Sequence, residues 1–114
     1  MSKHFDFTNP TPETIREFQE YERRKFKAFS HYLTKIYKQR REELGYSMEE
    51  VAQVLQTSIE TIEKSETTLD IGLNTTFTLG DVVYKLDMQK IWTEAIEYAE
   101  AEADRQEEEG DDTK

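Results

Sequence analysis

The sequence predicts an all-α fold with an extended N-terminal helix, and three observations lead there. Apolar residues recur at mostly three- and four-residue spacing from Ile15 to Leu44, with no glycine or proline between Pro12 and Gly45. Capping residues then divide the next stretch into short helical segments. The late segment TEAIEYAEAEADRQEEE is dominated by alanine and glutamate, both strong helix formers.

The first helix begins at Pro12. Thr11-Pro12-Glu13 supplies a hydroxyl to cap free amides, a proline at the first helical position and an acid at the positive end of the dipole. Ile15, Phe18, Tyr21, Phe26, Phe29, Leu33, Ile36, Tyr37 and Leu44 form its apolar stripe. One rod ~50 Å long fits this pattern. A break at Ser30, with a new helix from His31, is the alternative.

Gly45 stops this helix as a left-handed cap. Ser47 and Glu50 have the spacing of a capping box, which starts a second helix from Met48 to about Leu55 with Val51, Ala52 and Leu55 buried. Gln56-Thr57-Ser58 is a three-residue connection, and a third helix follows from Ile59 to about Ser65. TTLDIGLNTTFTLG is expected as a loop, with Thr75 to Thr78 as a candidate extended piece. Leu79, Val82, Val83 and Leu86 share one face of a short helix, and a bend leads to a last helix in which Met88, Ile91, Trp92, Ile96 and Ala99 are the apolar positions. The expected organisation is a flexible 1–10, a helical extension 11–30, a central domain 31–92, a C-terminal helix 93–104 and a disordered acidic tail 105–114.

Composition bounds the function classes. A chain of 114 residues suits one compact core with polar extensions, and a mean hydropathy of -0.90 leaves little apolar material beyond that core. With no cysteine, neither a disulfide framework nor a thiolate metal site is available. The start MSKHFDFTNP lacks a signal-peptide pattern and no apolar run reaches membrane-spanning length, so a soluble cytoplasmic protein is expected. The net charge of -10 is uneven: residues 11–44 carry +3 and residues 93–114 carry -8. Catalysis has little support, since carboxylates such as Glu94, Glu97 and Glu100 fit a solvated helix face or tail and no glycine-rich phosphate loop occurs. His4 and His31 lack the companions of a metal site or triad. No enzyme activity, metal or cofactor is expected.

Two short helices joined by a three-residue turn, between a longer helix and an apolar one, follow helix-turn-helix arithmetic. RREELGYSMEEVAQVLQTSIETIEKSE resembles the Cro/lambda-repressor (XRE) class of helix-turn-helix domains, and the resemblance covers about residues 31–92. It implies a five-helix Cro/repressor-like domain whose third helix enters the major groove of duplex DNA. The family's crossing-point alanine matches Ala52, and its core positions match Val51, Leu55 and Ile62. Its structural arginine–glutamate pair matches Arg41 and Glu66. Two positions depart from the pattern: the turn glycine, where positive φ is needed, is Gln56, and the apolar residue near the end of helix 3 is Ser65.

Carried over, the DNA contacts are Ser47 and Met48 at the start of helix 2, then Ser58, Ile59, Glu60, Thr61 and Lys64 on helix 3. Lys38 and Arg40 are additional phosphate candidates. Free amides at a helix start are anion donors, and side chains on one helical face can reach base edges. Glu60 can accept only from a cytosine amino group, Ile59 can touch only a thymine methyl, and Glu63 is expected to point sideways or toward helix 2. The implied function is a sequence-specific DNA-binding transcriptional regulator acting as a homodimer. The alternative is a protein-interaction or inhibitor module that uses the same fold and its acidic surfaces on a protein partner. The basic and aromatic residues from Arg16 to Lys38 could suggest single-strand stacking, but at helical spacing the aromatics belong to a core or a dimer interface. That N-terminal helix either pairs with a second subunit or folds back on its own domain.

Overall fold

A computed structural model describes residue 5 and residues 7–112, with side chains through residue 107. Five α-helices occur in it: α1 (Pro12–Glu43), α2 (Met48–Leu55), α3 (Ile59–Ser65), α4 (Leu73–Thr78) and α5 (Met88–Asp112). A π-helical turn, Leu79–Val83, continues α4. The described residues contain no strand. None of their helices is long and apolar enough to cross a membrane.

α1 is one unbroken rod of 32 residues, so the break considered at Ser30 is not made. Ser30 is instead buried in the wall of the rod. Thr11 caps the start by accepting from the Thr14 amide at 3.1 Å. At the other end Gly45 takes φ 75. The Tyr46 amide then reaches the Arg41 carbonyl and the Gly45 amide reaches Glu42, both at 3.1 Å. This is the Schellman arrangement, which satisfies carbonyls that would otherwise be orphaned.

α5 packs antiparallel along α1, with Glu107 near Arg24 at one end and Glu94 bonded to Tyr32 further along. The pair sets the long dimension of a molecule measuring 49 × 25 × 24 Å. Its seam contains Ala95, Ala99 and Ala103, all buried, while Ile96 is left 38% exposed. The expected face through Trp92, Ile96 and Ala99 is therefore rotated. Alanines one turn apart let the two backbones approach closely, which a row of larger residues would prevent. Trp92 is still used, with its ring between Phe29 at 4.7 Å and Phe77 at 4.9 Å.

The N-terminal half of α1 stays in line with the rest of the rod and is lined by α5 of its own chain, with Tyr21 and Ala28 buried and Phe26 left 64% exposed. Ahead of α1, Phe5 packs on Phe18 and Tyr21, and Phe7 packs edge-on against Phe18; of the segment expected as flexible, residues 1–4 and 6 lie outside the described residues. Nor does α5 end at residue 104. It continues to Asp112, supported by the Arg105–Glu102 ion pair, the Gln106–Glu102 hydrogen bond and Arg24 beside Glu107.

The central core joins Tyr37, Val51, Ala52, Ile62, Leu79, Tyr84 and Met88. Of the segment read as a loop, residues 67–72 are non-helical as expected, but Leu73–Thr78, which holds the candidate extended piece, is helical. Gly72 starts it at φ 83, and Thr76 Oγ1 turns back to donate to the Gly72 carbonyl at 2.7 Å. Serine and threonine hydroxyls can satisfy helix carbonyls in this way, which conceals a helix behind a loop-like composition.

Candidate nucleic-acid interface

The unit that presents the predicted contact residues is α2, the turn Gln56–Ser58 and α3. Ser47 starts α2 with a complete capping box: its hydroxyl accepts from the Glu50 amide at 3.1 Å, and Glu50 accepts from the Ser47 amide at 2.9 Å. Those hydrogen bonds hold the Glu50 carboxyl below its ordinary pKa. Gln56 ends α2 in the left-handed region at φ 55, ψ 49. The Thr57 amide bonds the Ala52 carbonyl at 2.9 Å, so this turn closes as the one at Gly45 does, without a glycine. The strain is of order 1–2 kcal/mol.

α3 is capped by Ser58, whose hydroxyl accepts from the Thr61 amide at 3.3 Å. Thr61 Oγ1 also lies 3.0 Å from Thr57 Oγ1 and 3.1 Å from Ser58 Oγ. The hydroxyls of two predicted contact residues are thus engaged in starting the helix. Ile62 and Ser65 face the core, and Ser65 is fully buried, donating to the Ile62 carbonyl at 2.5 Å. A small self-satisfied hydroxyl fills the place where an apolar residue was expected.

The opposite face carries Ile59, Glu60 and Glu63, all exposed, with Lys64 beside them. Lys64 Nζ lies 3.5 Å from Glu60 Oε1 in an i,i+4 pair. Glu63 is exposed as Glu60 is, so the solvent side of α3 presents two carboxylates and one ammonium. An exposed pair of this kind contributes only about 0.3–0.5 kcal/mol, so a stronger acceptor can draw Lys64 away.

The remaining candidates lie elsewhere. Ser47 is exposed, whereas Met48 is half-buried and packs against the core. Lys38 is exposed on α1. Arg40 is half-buried and donates from Nε to the Tyr84 carbonyl at 2.8 Å, where it serves the residue after the π turn. Arg41 and Glu66 form a two-armed pair: Nε to Oε2 at 2.6 Å and Nη2 to Oε1 at 3.1 Å. Arg41 also donates to the Tyr46 carbonyl at 2.9 Å. Its side chain is 12% exposed and that of Glu66 is 2% exposed, and the carboxylate raises the guanidinium pKa. The pair ties the end of α1 to the end of α3 and fixes the angle at which α3 is displayed.

Sequence reasoning missed Gly80 and Tyr84. An added Cβ at Gly80 would lie 2.8 Å from the Tyr37 hydroxyl and overlap the Met88 thioether. The glycine marks a crossing point, and its position in an apolar segment was the available signal. Tyr84 is fully buried, and its hydroxyl has no hydrogen-bond partner among the described residues. No group of three or more His, Cys, Asp or Glu among the described residues could hold a metal ion. His4 lies outside the described residues. No family model, curated protein or solved structure matches the chain.

Proposed function

We propose that this chain is a sequence-specific duplex DNA-binding regulator of the Cro/lambda-repressor type, with α3 in the major groove. The observation that carries the reading is the display of α3. A short helix is anchored at its base by the Arg41–Glu66 pair, started by a serine cap, and turned outward along Ile59, Glu60, Glu63 and Lys64. Lys64 supplies the strong donor to bases or phosphate, Ser47 and the first amides of α2 hold a phosphate, and Lys38 adds a second phosphate contact. Glu60 accepts from a cytosine amino group and Ile59 contacts a thymine methyl. A dimer would match two half-sites, with cytoplasmic transcription control as its setting.

Two carboxylates on the reading face make salt dependence the decisive measurement. Binding of the full chain to labelled duplex from the region upstream of its own coding sequence should be specific and should weaken steeply with added salt. Lys64→Ala should weaken it about tenfold, the scale of one lost base or phosphate contact. Ser47→Ala should also weaken it, with melting measured alongside because the substitution removes a helix cap. Absence of binding even at low salt would refute the proposal.

A second reading, a protein-interaction module on the same fold, is favoured by apolar surface next to α2. Val54 is 69% exposed and Val82 57% exposed, and both line one shallow groove. Duplex binding that survives competition with non-cognate DNA would exclude it as the principal activity.

A further inference from the structure

The N-terminal half of α1 and the C-terminal half of α5 line a groove of about 520 Å³. Thr67 and Thr68, just beyond α3, close one side. The α1 wall supplies Arg23, Arg24, Lys27 and Ser30, and the rings of Phe26 and Tyr98 also line it. We propose that this groove binds a small phosphate monoester carrying a planar ring.

Three features converge on that chemistry. Positive charge is concentrated here in a chain whose net charge is -10. Arg23 and Lys27 form no ion pair with a described residue, and Arg24 has a carboxylate only at 3.8 Å, from Glu107. One carboxylate, Glu102, also lines the groove, and it is already bonded to Arg105 and Gln106.

Second, the wall contains two buried polar atoms without a hydrogen-bond partner among the described residues, Ser30 Oγ and Arg24 Nε. Ser30 is only 8% exposed, and its hydroxyl does not turn back to a carbonyl as that of Thr34 does at 3.1 Å. A hydroxyl and a guanidinium N–H left unpaired in a cationic wall are complementary to an oxyanion, which accepts from both. Third, the lining is apolar beside that cluster. Phe26 is 64% exposed, and Tyr98, whose ring lies 5.3 Å from that of Tyr32, is still 39% exposed, so ring surface is available to a flat group. The volume lies in the range of small-molecule sites, roughly 300–1,000 Å³. Duplex phosphate could use the same cations, but it would leave the ring surfaces without a role.

Calorimetric titration of the full chain with adenosine monophosphate tests the proposal, with adenosine and inorganic phosphate as separate arms. Saturable binding of the monophosphate, tighter than either arm, is expected. Ser30→Ala should weaken it about tenfold, the scale of a charge-assisted hydrogen bond, without lowering the melting temperature, because alanine removes an unpaired hydroxyl from a helix. Arg23→Gln, at an exposed position, should weaken it by a similar factor. No saturable binding by about 10 mM would overturn the assignment. So would affinity unchanged by both substitutions. If the monophosphate is inert while Arg23→Gln weakens duplex binding, the groove belongs to the DNA backbone and the small-molecule assignment falls. Failure of duplex binding alone leaves these titrations unaffected.

Discussion

Replacing Glu66 with alanine strands the guanidinium of Arg41 between α1 and α3. The two partners are 12% and 2% exposed at their side chains, and they are joined by bonds of 2.6 and 3.1 Å. Breaking a buried pair from one side typically costs 3–5 kcal/mol, because the survivor keeps its desolvation penalty. Arg41 retains its bond to the Tyr46 carbonyl and some contact with water, which places the expected loss near the lower bound, at about 3 kcal/mol. For a chain of this size, about 4 °C of melting temperature per kcal/mol gives a fall of about 12 °C. Far-UV circular dichroism on heating, checked for two-state behaviour, reads it directly. Replacing both partners, Arg41→Met with Glu66→Leu, should cost at least about 2 kcal/mol less than the two single losses summed, since neither charge is then left buried. A fall below about 4 °C for Glu66→Ala, or strict additivity in the double variant, would refute this account of the pair.

Gly80→Ala should destabilise by about 1–3 kcal/mol in denaturant titration. The Met88 thioether can swing aside, but the Tyr37 hydroxyl is held by its 2.7 Å bond to the Thr76 carbonyl. Tyr84→Phe should be neutral or stabilising by about 1 kcal/mol, because it deletes an unpaired buried hydroxyl, whereas Tyr37→Phe should cost about 1 kcal/mol or more. Burial pushes the Tyr84 hydroxyl up to about 12, against an ordinary value of 10.0, and raises Tyr37 as well. Both raised values favour the folded state fully below pH 10.0, and that stability is lost as pH climbs toward the folded values. Melting against pH should show the decline, and Tyr84→Phe should make it shallower. Glu50 has the opposite sign: its lowered pKa contributes stability above the ordinary carboxylate range that is lost as pH falls through the folded value. Glu50→Gln should therefore lessen acid sensitivity in the same melts.

Punctuation made much of the fold legible. Thr11-Pro12, Gly45 and the Ser47/Glu50 box mark their helix ends because each residue has a single dominant local role there. Less could be read where hydroxyls or small residues do tertiary jobs. The threonines of α4 look like loop residues until Thr76 is seen bonding back to Gly72. The seam of α5 is equally hidden, because periodicity ranks Ile96 above Ala95 while close helix approach selects the smaller side chain. For the candidate interface, spacing identified which residues share α3, but not their engagements. Thr61 is bound into a cap, Lys64 is paired with Glu60, and Arg40 is turned to the Tyr84 carbonyl. Those partners come from outside any local window or compete within one turn.

The antiparallel pairing of α1 with α5 also sets a schedule for synthesis. Tyr32 and Glu94 meet at 3.1 Å across a separation of 62 residues. At roughly 5–20 residues per second, the first helix is made about 3–12 s before the strip that covers it. During that interval the flank of Tyr21, Ala28 and Leu33, all buried in the finished molecule, is open to other chains. The nine lysines and arginines and six glutamates of residues 11–44 then have a second use, keeping a nascent amphipathic rod in solution until its cover emerges.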